Sequence, residues 1–323
     1  MSFIEAKDVC KNYRIAKIRP GFWGGIHSLF SREYIIKEAV RSISFSIEKG
    51  EIVGYIGPNG AGKSTMIKIL SGVLVPTSGL VTVDGIIPYE NRKRNAKRIG
   101  VVFGQRSQLY WDLPITDSFE LNKKLYEIDD KTYHQNKNLF IEMLDMKDFM
   151  DQPARQLSLG QKMKANLALA MLHNPGIIYL DEPTIGLDVN SKKTLRECIV
   201  GLNREKGTTI ILTTHDMNDI EATCQRLILT NEGQKLFDGK LNEFKAHYED
   251  GYVIQMGFND LPIWSETPGY VLVDTRQSTW IVQVEKGISS RTALITLIEK
   301  YNPITIFLKE EDIEHIIQRV FAR

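Results

Sequence analysis

The sequence predicts an α/β fold: a largely parallel sheet with an antiparallel β annex, an inserted helical lobe and a small C-terminal α+β domain. Three observations carry that expectation. Short β-branched runs (Glu51–Ile56, Ile99–Phe103, Ile177–Asp181, Thr208–Thr213 and Arg226–Leu229) alternate with stretches of helical periodicity, the pattern of strands joined by helices. The runs Phe3–Asp8, Ile43–Ile47 and Leu80–Asp84 have short connections, which suits an antiparallel annex. After about Tyr248 the pattern becomes strand-rich again and ends in helices.

Taken in order, Arg14–Glu38 separates two early strands and reads as an insertion, basic and aromatic around Arg19-Pro20-Gly21-Phe22-Trp23. Between Gln105 and Leu157 the periodicity is mostly helical, with candidates at Asp117–Ile128 and Thr132–Leu144, so the lobe is expected at about 106–157. The C-terminal part offers strands at Tyr252–Phe258, Tyr270–Asp274, Thr279–Val284 and Ile304–Leu308. Its helices are expected at Ser289–Lys300 and Glu311–Phe321. This divides the chain into residues 1–247 and 248–323, with a linker near Ala246–Gly251.

Composition narrows the function classes. The 323 residues are 42% hydrophobic and 25% charged with a formal net charge of +1, so global charge points to neither nucleic acid nor an acidic surface. The longest apolar runs, Gly176–Leu180 and Thr209–Thr213, are strand-sized, far short of the ~18 residues a membrane-spanning helix needs. Met1–Lys7 lacks the pattern of a signal peptide. Cys10, Cys198 and Cys224 are scattered and odd in number, as in a reduced cytosolic protein. Any tie to a membrane is then expected through a partner.

Two motifs carry chemistry. Gly57-Pro58-Asn59-Gly60-Ala61-Gly62-Lys63-Ser64 fits G-x-x-x-x-G-K-[ST] and lies between a strand and a helical run. Its glycines let backbone N–H groups curl toward phosphate oxygens, and the following helix turns its partly positive end on the same anion. Lys63 is expected to reach the β- and γ-phosphates of ATP, and the Ser64 hydroxyl to ligate Mg2+. The second motif, Gly176–Pro183, is an apolar strand ending in Asp181 and Glu182. Two acids at the tip of a buried strand are costly unless a metal or a reacting water uses them. Asp181 is the candidate Mg2+ ligand and Glu182 the candidate for polarising the attacking water.

Leu157-Ser158-Leu159-Gly160-Gln161 resembles the L-S-G-G-Q signature of the ABC ATPases. Ser158-x-x-Gln161 before the periodic run Met163–Leu172 is also a capping box, and both readings can hold together. Leu159 stands where the family has its first glycine, which restricts the backbone there. The resemblance covers about residues 1–240 and implies a P-loop NTPase core of the ABC type. It implies that Tyr13 stacks on adenine, and that Tyr13, Gly57–Ser64 and Thr65 bind ATP. It implies that Gln105 links the γ-phosphate and Mg2+ to the helical lobe, and that His215 is a switch contacting the γ-phosphate. Ser64, Gln105 and Asp181 would serve Mg2+, and Glu182, His215, Gln105 and Lys63 would serve catalysis. Ser158, Leu159, Gly160 and Gln161 would clamp ATP in trans, and Asp188 would contact the other protomer.

The resemblance further implies an ATPase that powers a membrane transporter from the cytoplasmic face of a plasma membrane, in a prokaryote. Its partners would be separate integral membrane permease subunits and a second ATPase subunit, identical or related. The cradle, the stretch Pro183–Asp188 and the small C-terminal domain resemble ABC-2-type exporter ATPases; an importer, or a soluble non-transport ABC ATPase, is the alternative. Tyr110 and Trp111, just beyond Gln105, suit either a docking groove for the permease or the core of the lobe.

Overall fold

A buried parallel sheet organises the first part of the chain. In the computed structural model, which describes residues 2–16, 34–104, 107–248, 251–310 and 313–322, two compact units form, Met1–Leu241 and Asn242–Arg323. The first unit opens with β1 (Ile4–Ala16) and β2 (Tyr34–Ile47), followed by β3 (Ile52–Ile56) and the helix Lys63–Leu70. β4 (Ser78–Val83), β5 (Ile99–Phe103), β6 (Ile177–Asp181), β7 (Thr209–Thr213), β8 (Arg226–Asn231) and β9 (Gln234–Lys240) complete its strands.

The six-stranded sheet runs β5-β6-β7-β3-β8-β9, parallel throughout except for the antiparallel β8–β9 pair at its edge. β3 and β7 are buried at every position, as expected of parallel strands covered on both faces. The annex is an antiparallel sheet of order β2-β1-β4. Ile4, Val9, Ile43, Ile47, Val81 and Val83 from it join Tyr55, Met66 and Tyr179 in one apolar cluster, fixing annex to core.

The early strands are longer than expected. Arg14, Ile15 and Ala16 pair with Ile36, Ile35 and Tyr34, so both ends of the 14–38 segment belong to the β1–β2 ladder. β-branched residues on both strands favour that extension. The middle of the segment, 17–33, lies outside the described residues.

In the lobe, the helices are Ile115–Tyr126 and Asp130–Met143, each starting two residues before its expected position. The cause is local. Glu127 takes a left-handed conformation (φ 55°) that stops the first helix, and the Asp129 carboxylate accepts from Thr132 N at 2.9 Å to start the second.

Below the lobe, His173 stacks on Tyr126 with ring centroids 4.1 Å apart and donates from Nε2 to the Ile99 carbonyl at 3.0 Å. Its Nδ1 is buried without a partner. Burial pushes the pKa down from 6.5 to about 4. Between those values the unfolded chain binds the proton and the folded chain does not, so stability falls as pH drops from 6.5 toward 4 and levels off below. His173→Gln is expected to flatten this slope, worth at most about 3 kcal/mol, in denaturant midpoints measured between pH 7 and pH 4. An unchanged slope would assign the pH dependence elsewhere.

The second unit starts at Asn242, inside the helix Leu241–Tyr248, so the division falls after Leu241, six residues before the expected boundary. Lys286 Nζ donates to Ala246 O at 2.9 Å, and Arg319 donates to Tyr248 O at 2.6 Å, tying this helix to the rest of the unit. β10 (Gly251–Gly257), β11 (Tyr270–Arg276), β12 (Thr279–Glu285) and β13 (Thr305–Glu310) form an antiparallel sheet of order β11-β12-β10-β13. The helix Ser290–Tyr301 buries Ala293, Leu297 and Tyr301 with Trp280, Val282 and Ile254 of the sheet. The helix Ile313–Ala322 comes last.

Candidate functional site

The carboxyl ends of β3, β6 and β7 lie side by side, which is where open α/β sheets bind ligands. The cradle Gly57–Gly62 leaves β3 and runs into the helix Lys63–Leu70. Gly62 caps that helix at φ 94° without a side-chain hydrogen bond, so the first N–H groups stay open to an anion. A Cβ at Gly62 would stand 2.2 Å from the Ala39 carbonyl oxygen, and one at Gly57 2.2 Å from that of Thr230. Only glycine lets the backbone pass both points.

Lys63 is almost fully buried, 6% exposed. Its Nζ donates to Gly57 O at 2.7 Å and Pro58 O at 3.1 Å, folded against the cradle. Burial lowers its pKa, while Glu182 and Asp181 pull the other way. Ser64 Oγ donates to Asp181 Oδ1 at 3.2 Å, and Thr213 Oγ1 donates to the same oxygen at 2.6 Å. Tyr13 lines a cavity of about 470 Å³ with Asn59, Gly60 and Thr65, its hydroxyl 3.4 Å from Thr65 Oγ1.

Glu182 holds the centre. It takes a left-handed φ of 56°, a conformation costing about 1–2 kcal/mol, kept by its N–H donating to Thr213 O at 2.9 Å. Its Oε1 lies 2.7 Å from His215 Nε2. Glu182 lines the Tyr13 cavity, a second of about 320 Å³ with Ser64, Gly104 and Asp181, and a third of about 250 Å³ with Gly186, Thr214 and His215.

Ser64 and Asp181 offer the hydroxyl and carboxylate oxygens that suit a hard cation such as Mg2+. Among the described residues no group of three or more His, Cys, Asp or Glu could hold an ion unaided. That donor set fits a cation shared with substrate phosphates and water. Gln105, expected to join them, lies outside the described residues; its neighbour Gly104 donates to Asp181 O at 2.6 Å.

The capping box is present in full: Gln161 N donates to Ser158 Oγ at 3.2 Å, and Ser158 N to Gln161 Oε1 at 2.9 Å, at the start of the helix Leu159–Met171. Asp188 caps the helix Val189–Lys206, and Ser191 donors hold its carboxyl below the usual range. These two helix starts abut: a Cβ on Gly160 would be 2.4 Å from Ser191 Oγ. Leu159 is exposed. None of Ser158, Leu159, Gly160 and Gln161 lines the three cavities that meet at Glu182. Tyr110 and Trp111 are 52% and 64% exposed, so they are not core of the lobe.

Sequence reasoning missed Thr213 as the bridge between Asp181 and the backbone of Glu182. A polar residue at the end of an apolar strand beside the Asp181 strand was the available signal. It also missed the buried Asp219.

The ABC transporter family model matches residues 40–185, spanning the cradle, the signature and Glu182. The ABC transporter ATP-binding protein NatA of Bacillus subtilis (strain 168) is 35% identical over 206 residues, 64% of this chain and 83% of that protein. The linearmycin resistance ATP-binding protein LnrL of the same organism is 32% identical over 228 residues, 70% of this chain and 72% of that one. A solved dimeric structure of a post-hydrolysis state of the ATP-binding cassette MJ0796, bound to ADP and Pi, superposes with a TM-score of 0.61 at 28% identity. It covers 74% of this chain and 98% of that one.

Proposed function

The chain belongs to the family of ABC transporter ATP-binding proteins, and from that membership we propose that it powers an exporter as a head-to-tail dimer bound to separate membrane permeases. ATP hydrolysis is the general activity of these cassettes. The observation that carries the catalytic assignment is the meeting of three cavities at Glu182, one with the phosphate cradle, one with Asp181 and one with His215.

In this reading the open N–H groups of the cradle and Lys63 bind the phosphates, and Tyr13 receives the base. Glu182 accepts a hydrogen bond from the attacking water and orients it, while His215, beside it, contacts the γ-phosphate. When Mg2+ is bound, Ser64 and Asp181 would hold it, and it would neutralise charge on the phosphate oxygens. The signature residues Ser158, Leu159, Gly160 and Gln161 line none of the three cavities at Glu182, which supports their use by a second chain. Asp188, packed beside them, would then meet the other protomer's site. Loss of the γ-phosphate removes the contact that favours the closed dimer.

Export is supported by the drug-resistance designation of LnrL and by the mixed α+β build of the second unit. Docking of a permease on the lobe is supported by exposed Tyr110, Trp111, Leu121 and Leu125. No helix among the described residues is long and apolar enough to cross a membrane. The test is affinity purification of the tagged chain from gently solubilised native membranes. Stoichiometric recovery of one or two polytopic membrane proteins is expected, and recovery of none would overturn the transport reading.

A further inference from the structure

Asp219 is 1% exposed, in the short helix Met217–Thr223, and lines none of the three cavities at Glu182. Its two carboxylate oxygens collect donors from three other segments. Oδ2 accepts from Thr184 Oγ1 and, at 2.9 Å, from Thr214 Oγ1. Oδ1 accepts from Arg196 Nε at 2.6 Å, with Arg196 Nη2 at 2.5 Å. Thr184 lies two residues beyond Glu182, and Thr214 immediately precedes His215. Arg196 comes from the helix that Asp188 caps, and it also reaches Asp216, which Lys192 of the same helix bonds at 2.6 Å.

We infer that Asp219 is a positioning residue for ATP hydrolysis, holding the Glu182 and His215 segments at their working separation. The inference rests on the assignment of Glu182 and His215 to the reaction. The physical reason is that a buried carboxylate must keep its donors, because each lone pair left empty away from water is costly. Four short bonds to three segments therefore fix where those segments lie. The side chains of Glu182 and His215, 2.7 Å apart, sit on two of them. The Arg196 bonds tie the same carboxylate to the helix that starts at the expected dimer loop, so closure there would be felt at Glu182.

The test measures ATP turnover and nucleotide binding for the purified full-length chain. Asp219→Asn presents an amide N–H to donors, and kcat is expected to fall about 10- to 100-fold with ATP KM changed less than about twofold, the size of effect that small misplacement of catalytic groups produces. Thr214→Val leaves the Asp219–Arg196 pair intact and removes one hydroxyl, so kcat should fall without loss of folding. Thr214→Ser keeps the hydroxyl and should restore kcat. The inference is overturned if kcat of both Asp219→Asn and Thr214→Val stays near wild type while Glu182→Gln is inactive. It is also overturned if Thr214→Ser is as impaired as Thr214→Val, or if kcat and KM worsen together with melting temperature. Near-wild-type turnover in Glu182→Gln would instead remove the site assignment, and this inference with it.

Discussion

Glu182→Gln is expected to abolish ATP turnover, lowering kcat by about 10²- to 10⁴-fold, while ATP binding persists. The substitution is nearly isosteric. The backbone of residue 182 is held by the bond from its N–H to Thr213 O, not by the side chain, so the left-handed turn should survive. A glutamine oxygen can still accept from His215 Nε2, but a neutral amide polarises a water far less than a carboxylate. With the γ-phosphate no longer removed, ATP should hold two chains together, seen as a dimer in size-exclusion chromatography with light scattering. ATPase activity close to wild type would show that another group activates the water. A dead enzyme that stayed monomeric with ATP would leave the assignment of Glu182 standing and count against the ATP-held dimer.

Lys63→Met is expected to weaken nucleotide binding at least ~30-fold without unfolding the protein. Lys63 is 6% exposed, and burial lowers its pKa, so without nucleotide its charge is held at a cost that the carbonyls of Gly57 and Pro58 offset. Methionine fills the same volume with no charge to desolvate, and the melting temperature without ligand should stay the same or rise. The polyphosphate loses a charge-assisted donor, a loss of about 2–5 kcal/mol or at least ~30-fold in Kd. Thermal shifts with and without ATP check this directly. A variant still stabilised by ATP as strongly as wild type would remove Lys63 from the phosphate site.

Local signals were legible in the chain. The cradle lies between a strand and a helix because Gly60 and Gly62 supply positive φ, at 86° and 94°, within eight residues. The capping box at Ser158 and Gln161 is likewise a contact between residues three apart. The strands and helices beyond Tyr248 lie within two residues of their expected positions. β9 was not foreseen, because Gln234–Lys240 is an edge strand with four exposed positions and only weak apolar alternation.

What the sequence determined by itself is local structure: a glycine-rich turn between a strand and a helix, two carboxylates at a strand end, a capped helix at Ser158 and a strand-rich C-terminal unit. Each follows from residues adjacent in the chain, where propensity and spacing act directly. Tertiary structure alone decided that Asp181 pairs with Thr213 across β6 and β7, that Glu182 meets His215, and that Asp219 is buried among donors from three segments. Those contacts depend on the strand order β6-β7-β3, which is set by long-range packing of both sheet faces rather than by any local preference. An aspartate in the first turn of a short helix looks like a surface residue until the segments after β6 and β7 and the helix Val189–Lys206 close over it.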